Sequence, residues 1–307
     1  MLFGIWAGSE QNGSGLWGFG DHGMRCRMLD RSDIQTAAKR LAPYVRRTPT
    51  MTLGGTSDLG GCPITLKLEF LQHTGSFKAR GAFNRLLTAT EAGKVVTAAS
   101  GGNHGAAVAY AAQALDRRAT IFVPITTPGT KVARIASYGA AVVQQGAAYA
   151  DAYELSRVWA ASHDALEVHA YDHAAVVAGQ GTVGLELDED APDLTHVLVA
   201  VGGGGLIGGI GSWFAGSSTE VVGVEPTRCA GLAGALAAGR PVPVEVGGLA
   251  ADSLGARQVG ALMFEVAVKT GMSVVLVTDE AIRATQLWLW EELRIVAEPG
   301  GATAMAA

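Results

Sequence analysis

Lys78 stands where a lysine can act as a nucleophile. It lies in Gln72-His73-Thr74-Gly75-Ser76-Phe77-Lys78-Ala79-Arg80-Gly81, after an alternating run over residues 64–69 that reads as a strand. A helical pattern over about residues 77–92 follows. The first turn of a helix offers free backbone N–H groups that suit an anion, and its positive end lowers a lysine's hold on its proton. The same residues also suit a plain solvated turn, so the meaning of Lys78 depends on what accompanies it.

Two further loops accompany it. Gly202, Gly203, Gly204 and Gly205 follow an apolar strand pattern over residues 195–201 and precede a helix from Leu206. Without Cβ atoms, successive N–H groups converge on an oxyanion, and the helix dipole adds to them. The glycines are contiguous and lie two-thirds of the way along the chain, whereas a dinucleotide fold carries its G-x-G-x-x-G early, with an acidic residue about 20 further on, and no G-x-x-x-x-G-K-[ST] occurs. A compact phosphate monoester fits better than a dinucleotide or nucleoside triphosphate. The second loop is Ser100-Gly101-Gly102-Asn103-His104-Gly105, again between strand and helix. Its N–H groups suit a carboxylate, and the Asn103 amide can donate to a hydroxyl or phenolate. One lysine, one phosphate cradle and one carboxylate cradle describe a chemistry: an amino acid held as an imine, with a phosphorylated aldehyde as electron sink.

Such loops need elements to carry them. Ser32 reads as the N-cap of a helix over residues 33–45, ended by Arg46-Arg47-Thr48-Pro49. Short apolar strands over residues 95–99, 119–124 and 140–144 alternate with helices over 106–115, 130–138 and 149–162. A long helix over residues 172–187 leads to the strand before the glycines. Strands at 221–225 and 273–277, helices at 232–238 and from Thr278, a Gly- and Ala-rich loop at 247–255 and a final helix after Glu298 complete the pattern. The expected fold is α/β, with open, twisted, mostly parallel sheets flanked by helices. All three loops then sit at the carboxyl ends of strands, where ligands of such sheets collect.

Composition narrows the classes. The 307 residues are 49 % hydrophobic and 17 % charged, which predicts an ordered chain with an ample core. A net charge of -5 argues against nucleic-acid binding, and no apolar run approaches the roughly 20 residues of a membrane helix. Cys26, Cys62 and Cys229 show no metal-ligand spacing and read as reduced thiols of a cytoplasmic protein. Residues 1–27 show neither helical nor strand period and read as a disordered extension, with Met28 as the more natural start.

From residue 28 to 307 the chain resembles the fold-type II pyridoxal-phosphate enzymes, of the tryptophan-synthase-beta-like fold. Within them it looks like the serine/threonine dehydratase branch, which also contains serine racemase. Residues 72–82, 100–104, 202–205, 222–226, 251–255 and 298–302 carry the likeness, in order. The resemblance implies pyridoxal 5'-phosphate as cofactor, joined to Lys78, which is also the base that removes the α-proton. It implies Gly202 to Gly205 at the cofactor phosphate, Asn103 at its ring hydroxyl and Phe77 beside the ring. Ser100, Gly101, Asn103 and His104 would hold the substrate carboxylate. It further implies a homodimer, a large domain of residues 28–94 plus 169–307, and a small mobile domain of residues 95–168. The expected reaction is β-elimination of L-threonine or L-serine to a 2-oxo acid and ammonia. A β-replacement enzyme of the same fold, or a truncated non-catalytic cofactor-binding protein, is the alternative.

Three departures shape these expectations. Racemases of the family carry a serine where Gly101 stands, so elimination is expected over racemisation. Glu225 matches a cation-binding glutamate, but Gly231 stands where the companion aspartate would be, so no tight metal site is expected and Glu225 is as readily a capping carboxylate. The family continues to a Ser- or Cys-Gly loop at the pyridine nitrogen, and this chain stops at Ala307 before one. The chain is therefore read as C-terminally truncated, poorly stable and weakly active.

Overall fold

The structure, a computed structural model, describes residues 29–55, 61–90 and 94–307. The expected extension of residues 1–27 and Cys26 lie outside the described residues. The chain opens with α1 (Arg31–Leu41), then β1 (Thr50–Leu53), β2 (Ile64–Lys67) and α2 (Lys78–Thr88). Next come β3 (Val96–Ala99), α3 (Asn103–Ala114), β4 (Ala119–Val123), α4 (Gly129–Ala136), β5 (Ala141–Gln144), α5 (Tyr149–Ser162) and β6 (Leu166–Glu167). Then α6 (Ala174–Asp190), β7 (His196–Ala200), α7 (Gly205–Phe214), β8 (Glu220–Pro226) and α8 (Gly231–Ala238) follow. The last are α9 (Ala251–Leu254), α10 (Ala261–Thr270), β9 (Ser273–Val277), α11 (Asp279–Leu293) and α12 (Pro299–Ala302).

Two sheets are parallel throughout, in the orders β5-β4-β3-β6 and β7-β8-β9, and β1 with β2 forms a small antiparallel pair. The strands are short, and the central β3 and β4 have no exposed position, as parallel strands covered on both faces require, whereas the edge strands β5 and β9 expose part of their length. The core around β7 and β8 joins Val197, Val199 and Val224 to Ile207 and Ile210 of α7 and Leu187 of α6. A second core joins Val96, Ala98 and Ile121 to Phe83 of α2 and to the alanines of α3.

Several boundaries differ from the sequence reading, each for a local reason. Asp30, not Ser32, caps α1: its carboxylate accepts the N–H groups of Ser32 and Asp33, and Asp33 returns a bond to the Asp30 N–H. The helix stops at Leu41 because Pro43, two residues on, has no N–H to continue it. β6 is two residues long and α10 follows a Gly-rich loop, so neither left a periodic signal. α9 is a single turn inside that loop.

Helices α6 and α7 approach so closely that side chains are excluded between them. A Cβ on Gly209 would lie 2.4 Å from the Val177 carbonyl oxygen and 2.5 Å from the Gly181 nitrogen. Beside this seam, α6 holds α2 through ion pairs removed from water. The Arg80 guanidinium, fully buried, meets Glu69 at 2.7 Å and Glu186 at 2.6 Å. Lys67 reaches Glu186 at 2.7 Å and donates to the Thr48 carbonyl. Buried charges of this kind persist only when paired and hydrogen-bonded. This network fixes the first turn of α2, the turn that carries Lys78.

Candidate active site

Lys78 is the first residue of α2. The chain reaches it through two consecutive left-handed residues, Thr74 at φ 58° and Gly75 at φ 69°, which reverse its direction after β2. The Gln72 amide braces this turn, accepting from the N–H groups of Arg46 and His73 and donating to the Arg46 carbonyl. Arg134 of α4 donates to the Thr74 carbonyl. The Lys78 Nζ points inward and donates to the Ala170 carbonyl at 2.7 Å, with the Phe77 ring 5.3 Å away. A neutral carbonyl is its partner, so nothing offsets the cost of burying an ammonium, and burial brings the Lys78 pKa down to about 8.

The tetraglycine loop leads from β7 into α7. Gly204 sits at φ 91°, a conformation that glycine adopts without strain, and no side-chain hydrogen bond caps the start of α7. Tyr171 lies against this loop. A Cβ on Gly203 would come within 2.2 Å of its ring, and one on Gly205 within 2.9 Å of its Cα. The Tyr171 hydroxyl donates to the Gln258 carbonyl, and the Gly260 N–H donates to the Gly203 carbonyl. The loop is thus held from both sides with no side chain of its own.

The third loop leads from β3 into α3. The Gly102 N–H donates to the Ser100 hydroxyl, and Asn103 opens α3 with its amide donating to Glu298 at 2.7 Å. Gly101, Gly102 and Asn103 line a cavity of about 90 Å³ with Lys131, Arg134 and Asp252. Lys131 of α4 and Asp252 of α9 form an ion pair at its edge. Gly101 packs against Thr127, whose methyl and hydroxyl groups would lie 2.7 and 2.9 Å from a Cβ there. His104 turns away from the loop: its ring, buried, is 2.9 Å from the Val168 carbonyl, and burial with Lys78 nearby pulls its pKa down to about 3. The imidazole is neutral, and its Nε2–H donates to that carbonyl, so at the loop His104 can offer only backbone.

The structure therefore brings Lys78 under the strap of residues 169–173 and places the tetraglycine loop against the next residue of that strap. Ala170, Tyr171, Glu298 and the Lys131–Asp252 pair were not singled out as site residues from sequence. Ala170 acts through its main chain, and the ion-pair partners lie 121 positions apart. Residues 298–302 did carry a motif, but nothing in it named a role for Glu298. The Glu225 carboxylate accepts from the N–H groups of Leu232 at 2.7 Å and Ala233 at 2.9 Å, capping α8. Among the described residues no group of three or more His, Cys, Asp or Glu could hold a metal.

A part-buried, inward-facing lysine of lowered pKa and a side-chain-free cradle at an uncapped helix start are what a phosphorylated aldehyde requires. The family model for pyridoxal-phosphate dependent enzymes matches residues 41–307. The chain belongs to this family. It is 38 % identical over 284 residues to an L-threonine ammonia-lyase of Thermotoga maritima, covering 91 % of this chain and 71 % of that protein. Among solved structures, maize serine racemase superposes with a TM-score of 0.85 at 32 % identity, covering 90 % of this chain and 85 % of that one. The threonine deaminase of T.th. gives 0.82 at 34 % identity, covering 91 % and 92 %. Pyridoxal phosphate is the family's cofactor. In this member Lys78 would hold its aldehyde carbon and the N–H groups of Gly202 to Gly205 its phosphate.

Proposed function

We propose that this protein is an ammonia-lyase that removes water and ammonia from L-threonine or L-serine and leaves the 2-oxo acid. The observation that carries the reading is Lys78: an inward-facing amine, pKa about 8, 2.7 Å from the Ala170 carbonyl. When bound, pyridoxal phosphate supplies an aldehyde for the substrate amine and a ring that takes up the electron pair left on Cα. Every other step belongs to the chain. Near neutral pH a lysine with this pKa exchanges its proton readily, so its Nζ can take the α-proton and return it. The Ala170 carbonyl holds that Nζ in place. The loop from Ser100 to His104 offers the substrate carboxylate backbone N–H groups and the Ser100 hydroxyl, and Glu298 fixes the Asn103 amide beside it. Phe77 packs where it limits water near Lys78.

Two relatives, named for threonine ammonia-lyase and threonine deaminase activity, support elimination. The likeness to serine racemase keeps the opposite outcome in the test, and Gly101 leans against it. The four-stranded sheet is read as a small domain that moves against the rest. Family resemblance supports a homodimer, and the free Cys62 and Cys229 thiols support a cytoplasmic setting. No helix among the described residues is long and apolar enough to cross a membrane.

Ammonia and oxo acid are measured from L-threonine and L-serine, with the D-enantiomers followed in parallel. Stoichiometric ammonia and oxo acid, and loss of both together with the borohydride-sensitive visible absorbance in Lys78→Ala, are expected. Accumulation of D-serine without ammonia would overturn the reading.

A further inference from the structure

The Ala170 carbonyl holds Lys78, and the same peptide unit carries the Tyr171 N–H on its other side. A trans peptide is planar and sends its C=O and N–H in opposite directions, so whatever holds one end aims the other. The holder is the His169 ring. Its Nδ1 accepts the Asp172 N–H at 2.8 Å and, more weakly, the Tyr171 N–H at 3.3 Å. These donors lie two and three residues on, where an Asn or Asp oxygen would close its own turn. A ring nitrogen that accepts carries no proton, so this imidazole bears its proton on Nε2. Burial holds the His169 pKa below the usual histidine value; the Asp172 carboxylate opposes this, and the Lys78 charge adds to it.

The ends of the strap are tied elsewhere. Upstream, the Val168 N–H donates to the Thr97 carbonyl at 2.9 Å, and the Val168 carbonyl meets the His104 ring at 2.9 Å. Downstream, the Asp172 carboxylate accepts from the N–H groups of Ala261 and Leu262, both at 3.0 Å, at the start of α10. The Tyr171 hydroxyl donates to the Gln258 carbonyl at 3.2 Å. Between these anchors the 170–171 peptide is gripped by Lys78 on its oxygen and by His169 on its nitrogen. The rings of Tyr171 and Tyr153 pack edge-on against the imidazole, at 4.7 and 6.1 Å between centroids, and keep it facing the turn.

We propose that His169 is a positioning residue for Lys78, taken as the amine that joins the cofactor: its unprotonated Nδ1 closes the turn of the strap and so aims the Ala170 carbonyl at the Lys78 Nζ. His169 touches neither the cofactor phosphate nor the substrate in this role and acts through one backbone amide. The strap is also the cover under which burial brings the Lys78 pKa down to about 8. A strap released from His169 admits water to the amine, and the pKa returns part of the way toward 10.5.

The test compares His169→Asn, which puts an accepting oxygen where Nδ1 lies, with His169→Gln, whose oxygen reaches nearer Nε2. Reductive methylation of the cofactor-free chain, followed at Lys78 by mass spectrometry, should keep its midpoint near pH 8 in His169→Asn and raise it by about one unit in His169→Gln. Hydrogen exchange gives a second reading: the Tyr171 and Asp172 amides should be slow in the parent and in His169→Asn, and about tenfold faster in His169→Gln. In the cofactor-loaded protein, kcat for ammonia release should fall about tenfold in His169→Gln with KM held, and His169→Asn should recover it. A methylation midpoint unchanged or lowered in His169→Gln, equal midpoints in the two variants, unprotected Tyr171 and Asp172 amides in the parent, or a kcat in His169→Gln equal to that of an active parent would overturn the proposal. A parent that releases no ammonia would overturn the elimination reading alone, because methylation and exchange still decide the role of His169.

Discussion

At the level of single residues, Lys78 is set by burial rather than by a neighbouring charge, and this has a measurable sign. Its folded pKa, about 8, lies below the ordinary 10.5, so the unfolded chain binds more protons between those values and this group's contribution to stability rises with pH across that window. Reductive methylation of the cofactor-free protein, followed at Lys78 by mass spectrometry, should show a midpoint near pH 8. A midpoint near that of surface lysines would refute the assignment. Glu225 behaves oppositely. Burial lifts its pKa to about 7 from 4.5, so the native state keeps a proton the unfolded chain releases, and stability falls as pH rises through that window. Glu225→Gln should flatten the dependence of melting temperature on pH there. Gly101 gives a packing prediction. Gly101→Ser places an atom 2.7 Å from the Thr127 methyl and should cost about 1–3 kcal/mol of stability. Thr127→Ala should recover most of that loss in the double variant, as a thermodynamic cycle would show.

At the level of elements, the anchoring of α2 decides where Lys78 points. Arg80→Ala leaves Glu69 buried without its cation and Glu186 with Lys67 alone, and should destabilise the fold by about 3–5 kcal/mol, read from urea unfolding. Arg80→Lys should recover only part, because one ammonium cannot span both carboxylates as the guanidinium does. Most elements were legible because short apolar strands alternate with helices long enough to show a period. α5 and β9 were read with the boundaries they have. The failures have physical causes. β1 pairs antiparallel with β2 across a long connection, and four residues with one exposed position give no period. β6 exists because β3 has an open edge, a reason that resides in the partner strand. Asp30 displaced Ser32 as a cap because Asp33, three residues on, completes the reciprocal pair.

Across the whole molecule, two contacts tie the four-stranded sheet and its helices to the rest at the carboxylate loop: Asn103 with Glu298, and Lys131 with Asp252. The second is partly exposed, so Lys131→Met should change stability by less than about 1 kcal/mol. It should nevertheless raise KM for the amino acid, because the cavity beside Gly101 loses its closing contact, and added salt should raise the parent's KM toward that of the variant. Such contacts are invisible in sequence, since the partners are distant and each reads alone as a surface charge. The three loops were legible because glycine clusters at strand ends have few other uses. The strap over Lys78 was not, because Ala170 and Tyr171 act through a carbonyl and a ring face. That carbonyl has an experimental consequence of its own. Position 170 is already alanine, so an alanine scan passes over the carbonyl that holds the Lys78 amine. Replacement of the amide linking residues 170 and 171 by an ester weakens the oxygen as an acceptor while leaving every side chain intact, and comparison with His169→Ala, which removes the acceptor of the Tyr171 N–H that the ester also deletes, would bring the carbonyl's contribution into view.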